Sequence, residues 1–395
     1  MPITMPPLSF PCLLSIPAIP QTDCPLFALL PVEIRSRIFR LALTDSPDPR
    51  KQRYKARRTY NRPGHSGPLR AYLELLGTCR AVYQECWFVP FVKEQTFWLC
   101  REWDMPLQHR VQNILAKLVQ AFPEVARHLG KEKVQIDGIT IFSRAQSLDE
   151  GELIHLVSKL NPRRLRLIIR HTDWRNWQHD HTLYLRGSWL KALNKALSKS
   201  SSLREVQIEL ESLSRKREQV DAIADQMRRR WFFGGEEGFL YASSMSVDNL
   251  SYQWSGASTW FGSNTWSRER WIRDEVAPGR IDYYVTVVTF KPEARIQQSG
   301  GRVDDEVKLI STSSPMQEKL FELRVPKHHK AMGCSRPSVR QKPRVRKPFI
   351  TDNDVSFDPM DNVSFDPIDS VYMSSSGEAS LRDSSEEESE EGLWD

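Results

Sequence analysis

The chain has 395 residues, of which 39% are hydrophobic and 27% are charged, a composition typical of a globular protein with room for two compact units and tails. Its 56 basic and 50 acidic residues leave a net charge of +6, which is too small an excess to predict nucleic-acid or membrane binding from total charge. The six cysteines form no C-x-x-C pair, so we expect neither a disulfide scaffold nor a structural zinc site, and a reducing compartment fits.

Residues 1–22 form an apolar, proline-rich leader. No basic segment precedes its apolar residues, so we expect a disordered leader rather than a signal peptide. The sequence has no run of about eighteen apolar residues, so no membrane-spanning helix is predicted either. These features predict a protein of the cytoplasm, the nucleus or both.

The next segment, residues 23–105, has a helical pattern that a loop interrupts. Residues 30–43 and 71–86 repeat apolar side chains at helical spacing. The loop at residues 45–68 is rich in turn formers and includes the run RKQRYKARR at residues 50–58. Such a run can contact phosphates, although a basic loop is more often solvated or meets an acidic protein.

The helix at residues 30–43 begins sharply and has two apolar stripes. Pro31 suits its first turn, where no amide hydrogen is required, and Glu33 favours the positive end of the helix. The stripes consist of Ile34, Ile38, Leu41 and Ala42 on one side, and of Val32, Phe39 and Leu43 on the other. One stripe suffices to build a core, so we expect Phe39 and its neighbours to be uncovered and available to another protein. The alternative is that the second stripe covers the rest of the chain.

Residues 106–295 alternate between helical and extended patterns. The predicted strands are residues 133–142, 164–171, 202–212 and 281–292, and the predicted helices are residues 147–160, 187–198 and 215–233. Two units, LVSKLNPRRLRLIIRH and ALSKSSSLREVQIEL, each run from a helix through a short turn into a strand. Repeated α–β units with short links predict a mostly parallel sheet with covering helices, loosely like a leucine-rich-repeat stack.

A segment rich in glycine, serine and tryptophan follows at residues 234–280, with Trp254, Trp260, Trp266 and Trp271. We predict an ordered Trp-rich loop, because tryptophan gains most from burial. Such a loop can close an open end of the sheet. The alternative is that its indole rings stack on a flat ligand or a sugar.

Residues 296–395 have few core-forming side chains and their charges occur in blocks, which predicts a disordered tail. Its basic segment, residues 327–348, is a candidate nuclear-localisation signal. Its acidic end, residues 383–395, includes Ser384 and Ser385. Each serine has a glutamate three residues later, a setting that acidophilic kinases favour.

The segment RHTDWRNWQHDHT at residues 170–182 contains a cluster of potential metal ligands, namely His171, Asp173, His179 and His181. His179 and His181 would share one face of a strand, as zinc ligands can. Spacing fixes no helical His-x-x-x-His pair and no carboxylate partner, and His171 and Asp173 can equally bond to the backbone of a turn. The sequence therefore predicts no catalytic, cofactor or metal site, and the chain is not predicted to be an enzyme.

Separated motifs occur along the first hundred residues, namely LPVEIR at 30–35, YNRPGH at 60–65, LLGTCRAVYQE at 75–85 and QTFW at 95–98. Together they resemble the pattern of an uncharacterised group of F-box-like proteins of filamentous fungi, over about residues 25–290. The segment LPVEIRSRIF is similar to the opening of an F-box. This resemblance implies that the first helix binds the Skp adaptor of a cullin-RING ubiquitin ligase, through Leu30, Pro31, Ile34 and Phe39. A typical F-box has short links between its helices, whereas this chain inserts residues 45–68.

The sequence thus predicts an α+β or α/β fold, with a small helical F-box-like unit at residues 23–105 and an α/β binding domain at residues 106–295. The predicted function is protein–protein interaction, in which the first helix binds the Skp adaptor and the α/β unit binds a client. The alternative is a metal-dependent enzyme or a nucleic-acid-binding protein that uses the cluster of His171, His179 and His181 or the basic run at 50–58.

Overall fold

The computed structural model describes residues 14, 16–55, 58, 60–100, 111–197, 202–244, 250–258, 274–312 and 321–325. Residues 18–334 form one compact unit, which includes both the predicted helical unit and the predicted α/β domain. Several predicted features lie outside the described residues, namely most of the leader, the basic segment 327–348, the acidic segment 383–395 with Ser384 and Ser385, and Trp260, Trp266 and Trp271. The interpretations of those segments stay predictions.

Helices occur along the whole compact unit. They are α1 (Pro25–Ala28), α2 (Val32–Ala42), α3 (Arg80–Cys86), α4 (Val89–Val92), α5 (Val111–Leu129), α6 (Glu152–Leu160), α7 (Ser188–Leu197), α8 (Arg217–Arg230), α9 (Glu293–Gln298) and α10 (Asp305–Thr312). The predicted first helix corresponds to α2, and Pro31 precedes it as the N-cap. Within the described ranges, no helix is both long and apolar enough to cross a membrane.

The strands form one large sheet and two small antiparallel ladders. They are β1 (Ser46–Pro47), β2 (Leu69–Arg70), β3 (Gln95–Leu99), β4 (Ile139–Ser143), β5 (Arg164–Ile169), β6 (Tyr184–Leu185), β7 (Glu205–Leu213), β8 (Phe233–Gly235), β9 (Gly238–Ala242), β10 (Leu250–Ala257), β11 (Arg280–Pro292) and β12 (Leu323–Arg324). The large sheet has the order β3-β4-β5-β7-β11-β9-β8, and β10 also pairs with β11. The small ladders are β1–β2 and β6–β12.

The large sheet is mixed rather than mostly parallel. β3, β4, β5 and β7 run parallel, because a helix carries the chain back between successive strands. β11 runs antiparallel to β7, β9 and β10, and β8 runs antiparallel to β9. A mixed α/β architecture is therefore confirmed. The predicted parallel order is wrong for the second half of the sheet, where β8 and β9 are joined by a tight turn at Gly238, with φ of 117°.

The two faces of the large sheet have different covers. On one face Thr286 of β11 donates a hydrogen bond of 3.0 Å to Asp221 of α8, so this face meets a helix. The opposite face carries an apolar row that crosses the first three strands, made of Trp98, Phe142 and Ile168. Tyr60, from the inserted loop, packs against this row. The insertion between α2 and α3 thus covers sheet surface that the helices do not.

The segment predicted as a Trp-rich loop contributes to β8, β9 and β10 where it is described. Side chains along β10 alternate between exposed and half-buried positions from Ser251 to Gly256. Trp254 stacks on Tyr283 of β11, with ring centroids 4.4 Å apart. The alternation in SYQWSG is the local signal for a strand with one covered face, and the high glycine and serine content of the surrounding segment makes it hard to recognise.

Described structure continues past residue 295, where the sequence predicts that the tail begins. α9, α10 and β12 lie there, and Val307, Phe321 and Leu323 are buried. Gly187 permits the close approach of this segment, because a Cβ at that position would lie 2.3 Å from the Phe321 side chain and carbonyl. A few apolar side chains are buried and attach an otherwise polar segment to the core. The average composition of the segment does not show this attachment.

Candidate functional site

Helix α2 has one buried apolar stripe. Phe39 and Leu43 are 1% and 0% exposed, and they pack in one cluster with Val82, Cys86 and Val89 of α3 and α4. Burial of aromatic and branched side chains in such a cluster stabilises the pairing of the helices by about 1.5–3 kcal/mol for each large side chain. This stripe fixes α2 against the two helices that follow the inserted loop.

The opposite stripe of α2 faces solvent. Ile34, Ile38 and Leu41 are 47%, 39% and 71% exposed, and their spacing places them on one side of the helix. We call these three side chains the α2 patch. Leu29 and Val32, just before it in the chain, are also exposed. Several large apolar side chains in contact with water on one short helix indicate a surface that another molecule can cover.

The stripe that was expected to build the core faces solvent, and in the stripe that was expected to be uncovered Phe39 and Leu43 are buried while Val32 is exposed. Phe39 is enclosed by its own chain, so it is not available as an adaptor contact. The physical reason is that α3 and α4 present apolar side chains to the Phe39 side of α2, and that contact removes the aromatic ring from water. Among the other predicted contacts, Pro31 and Ile34 are exposed and Leu30 is half-buried.

An ion pair holds α2 in a fixed orientation. The Arg35 guanidinium donates two hydrogen bonds to the Glu85 carboxylate, of 3.0 and 2.7 Å, and one of 2.6 Å to the Leu30 carbonyl. The hydrogen bonds to Glu85 raise the pKa of Arg35. Its guanidinium also lies 5.2 Å from the centre of the Phe27 ring. Bidentate pairing of this kind restricts geometry as well as adding energy, so the α2 patch is presented on a rigid support.

A buried cation lies at the centre of the inserted loop. Arg62 is 3% exposed, and its Nη2 lies 3.2 Å from Glu209 and 3.4 Å from Glu211, both on β7. Burial lowers the pKa of Arg62, but the charges of Glu211 and Glu209 outweigh that effect and the pKa is raised. Arg166 of β5 also pairs with Glu209. These contacts fasten the loop to the face of the sheet opposite α8.

Aromatic contacts complete this attachment. The His65 ring lies edge-on to Phe142, with ring centroids 4.8 Å apart, and Tyr60 contacts Trp98 in the same manner at 6.4 Å. The basic run at 50–58 is not the part of the loop that the sheet buries. Its described lysines and arginines are exposed, namely Arg50, Lys51, Arg53, Lys55 and Arg58.

The predicted histidine cluster is divided between the interior and the surface. His171 is buried, whereas His179 and His181 are exposed, with ring centroids 5.5 Å apart. Asp173 accepts hydrogen bonds from the backbone and side-chain nitrogens of Arg170, at 3.0 and 2.7 Å, and so stabilises a turn. Across the residues that the structure describes, no group of three or more histidine, cysteine, aspartate or glutamate side chains is placed to hold a metal ion.

Acidification from pH 6.5 to about 4 is expected to destabilise the protein through His171. Burial lowers the pKa of His171 to about 4; Asp274 and Asp180 oppose this change, and Lys216 and Arg215 add to it. The unfolded chain binds the proton near the ordinary pKa of about 6.5, so it is favoured as the pH falls. We expect the free energy of unfolding to fall by up to about 3 kcal/mol across this interval. Above it, His171 is expected to cause no further change in stability.

Urea unfolding of the wild type and of His171→Leu at several pH values measures this effect. The leucine variant is expected to lose less stability between pH 6.5 and 4, while His179→Leu, whose ring is exposed in the native protein, keeps the wild-type profile. Parallel profiles for the wild type and His171→Leu would contradict the assignment. Burial also lowers the pKa of His128. His128 is present in all three proteins, so its contribution to the pH dependence cancels when their profiles are compared.

No family model matches the chain, and no curated protein or solved structure matches it. The resemblance to F-box-like proteins therefore stays a prediction. Two of the motifs that carry it contact each other, because Arg35 of LPVEIR pairs with Glu85 of LLGTCRAVYQE. A third motif, YNRPGH, supplies Arg62 to β7. This role of Arg62 was not predicted, although the alternation in EVQIELE places Glu209 and Glu211 on one face of a strand and indicates that they need a cation.

Proposed function

We propose that the protein is a protein–protein interaction module and that the α2 patch binds a Skp-type adaptor, so that the protein acts as the substrate receptor of a cullin-RING ubiquitin ligase. The observation that carries this proposal is the exposure of Ile34, Ile38 and Leu41 on a helix whose other side is anchored. A docking helix needs both properties, since a free helix would lose conformational entropy when it binds.

In this proposal α1–α4 form the F-box-like element. The parallel strands β3, β4, β5 and β7 belong to a loosely leucine-rich-repeat-like unit. This unit binds the client. Because α2 is fixed by the Arg35–Glu85 pair and by the Phe39 cluster, adaptor binding at the patch leaves the intramolecular contacts of α2 intact. The sequence resemblance is what suggests this class of adaptor, and the exposed stripe would supply the apolar contact that such a partner requires.

Leu41→Asp is expected to weaken adaptor binding at least about tenfold, because it places a carboxylate where an apolar contact forms. Ile34→Asp is expected to act in the same direction. Leu309→Asp on α10 is the matched control, since Leu309 is a comparably exposed leucine at 69%. Isothermal titration of each purified protein with a recombinant Skp-type adaptor measures the dissociation constants.

Thermal melts establish whether each variant is folded. The three substituted positions are exposed, so melting temperatures close to that of the wild type are expected. The proposal is wrong if the folded wild type does not bind the adaptor, or if Leu41→Asp binds it as tightly as Leu309→Asp does.

A further inference from the structure

A groove runs between α5 on one side and α6 and α7 on the other, far along the chain from the α2 patch. Its volume is about 880 Å³. This lies in the range of clefts that enclose most of a bound small molecule or several side chains of a peptide. Within the described part of the chain no segment fills it.

The floor of the groove is apolar. Val119, Phe122 and Ala126 line it from α5, and Ala192 and Ala196 line it from α7. Val119 and Ala192 are exposed and Phe122 is half-buried, so apolar surface remains in contact with water. The two alanines are one helical turn apart, and their small side chains leave room for larger apolar groups from another chain.

The rim of the groove is positively charged. Lys133, Lys159 and Lys195 border it, and all three are exposed, whereas Glu132 is the acidic residue among the lining side chains. These lysines come from three separate segments. Lys159 and Lys195 lie in the last turns of α6 and α7, and Lys133 follows the turn that Gly130 makes, with φ of 61°, at the end of α5.

We propose that this groove binds an acidic, amphipathic peptide segment of a partner protein. Apolar side chains of that segment would occupy the floor between α5 and α7, and its carboxylates would lie against Lys133, Lys159 and Lys195. The charge of the rim is the reason for this choice, because a complementary partner gains from all three lysines while a basic segment is repelled. The proposal rests on the proposed function and deepens it by naming the class of client.

The test uses a fluorescein-labelled synthetic peptide with leucines on one helical face and glutamates on the other. A second peptide carries glutamine in place of every glutamate. Fluorescence anisotropy with the full-length protein is expected to show binding of the glutamate peptide, weaker binding of the glutamine peptide, and a fall in affinity as salt is raised. Equal binding of the two peptides, or no binding of the glutamate peptide, would overturn the proposal.

Charge-reversed variants locate the site. Lys159→Glu and Lys195→Glu are each expected to weaken binding of the glutamate peptide about two- to fivefold, and the triple reversal that includes Lys133→Glu by more than about tenfold. Lys51→Glu, at an exposed lysine of the inserted loop, is the matched control and keeps the wild-type affinity. An equal effect of Lys51→Glu and Lys159→Glu would show that the peptide responds to overall charge and would overturn the assignment.

Apolar contact is tested separately by Ala192→Trp, which fills the floor of the groove from an exposed position and is expected to block both peptides.

Adaptor binding, measured on the same preparations, distinguishes the two proposals. Failure of the peptide to bind a protein that still binds the adaptor overturns the groove proposal alone. Failure of the wild type to bind the adaptor overturns the proposed function, whatever the peptide does.

Discussion

Replacement of Arg62 with alanine is expected to reduce the free energy of unfolding by about 3–5 kcal/mol, the cost of breaking a buried ion pair by removal of one partner. The guanidinium is almost fully buried, and so are the carboxylates of Glu209 and Glu211. Glu209 keeps its contact with Arg166 in the variant. The energetic penalty therefore falls mainly on Glu211.

Apart from Arg62, the described residues that donate hydrogen bonds to Glu211 are neutral. Its carboxylate accepts hydrogen bonds from the indole nitrogen of Trp254 at 3.1 Å and from the backbone nitrogen of His171 at 3.3 Å. Neutral donors offset only part of the free energy that a carboxylate loses when it leaves water. Adding Glu211→Gln to Arg62→Ala is accordingly expected to restore part of the lost stability.

Urea denaturation followed by tryptophan fluorescence measures the effect of Arg62→Ala. Arg53→Ala is the matched control, because Arg53 is an exposed arginine of the same loop, and its loss is expected to change stability by less than about 0.5 kcal/mol. Faster tryptic cleavage in the basic run at 50–58 is expected in the Arg62 variant, since the loop loses its attachment to β7. A change in stability as small as that of Arg53→Ala would show that the buried pair does not hold the loop.

The second large effect is expected for Phe39→Ala, which should reduce the free energy of unfolding by about 3–5 kcal/mol. Phe39 is enclosed together with Leu43, Val82, Cys86 and Val89, so truncation leaves a cavity that the helices can fill only in part. Thermal or urea unfolding measures this loss. Any reduction in adaptor binding by this variant follows from unfolding of α1–α4 and not from a lost contact.

The matched control is Leu41→Ala, two positions further along the same helix on its exposed side. Leu41 is 71% exposed, so its truncation is expected to change stability by less than about 0.5 kcal/mol. The two variants together separate the two stripes of α2, because one alters stability and the other alters binding. A stable Phe39→Ala variant would contradict the assignment of Phe39 to the core.

Periodicity predicted several of the elements. The helices α2, α6, α7 and α8 lie within segments whose apolar spacing indicated them, and the strands β4, β5, β7 and β11 overlap the predicted strands. The elements that were not predicted include the long amphipathic helix α5 (Val111–Leu129), whereas others lie in segments with weaker local signals. β10 lies in a stretch rich in glycine and serine, and in α10 Val307 is buried whereas Leu309 is exposed and Ile310 is half-buried.

The candidate site was predicted only in outline. Two apolar stripes on α2 could be read from the sequence, but the exposure of the stripe that contains Ile34 could not. The groove between α5, α6 and α7 could not, because its three lysines come from segments whose proximity depends on how the helices pack. The ion pair between Arg62 and Glu209 could not be predicted from local sequence patterns either, since the two residues are 147 positions apart.

The sequence by itself determined the approximate positions of several helices and strands. It also determined that α2 is apolar on two sides. These are local properties, because side-chain directions repeat every 3.6 residues in a helix and every two in a strand. Only the tertiary structure decided which side of α2 is buried and which carboxylates Arg62 meets. Burial and ion pairing depend on which distant segments arrive at a surface, and desolvation makes those contacts decisive for stability.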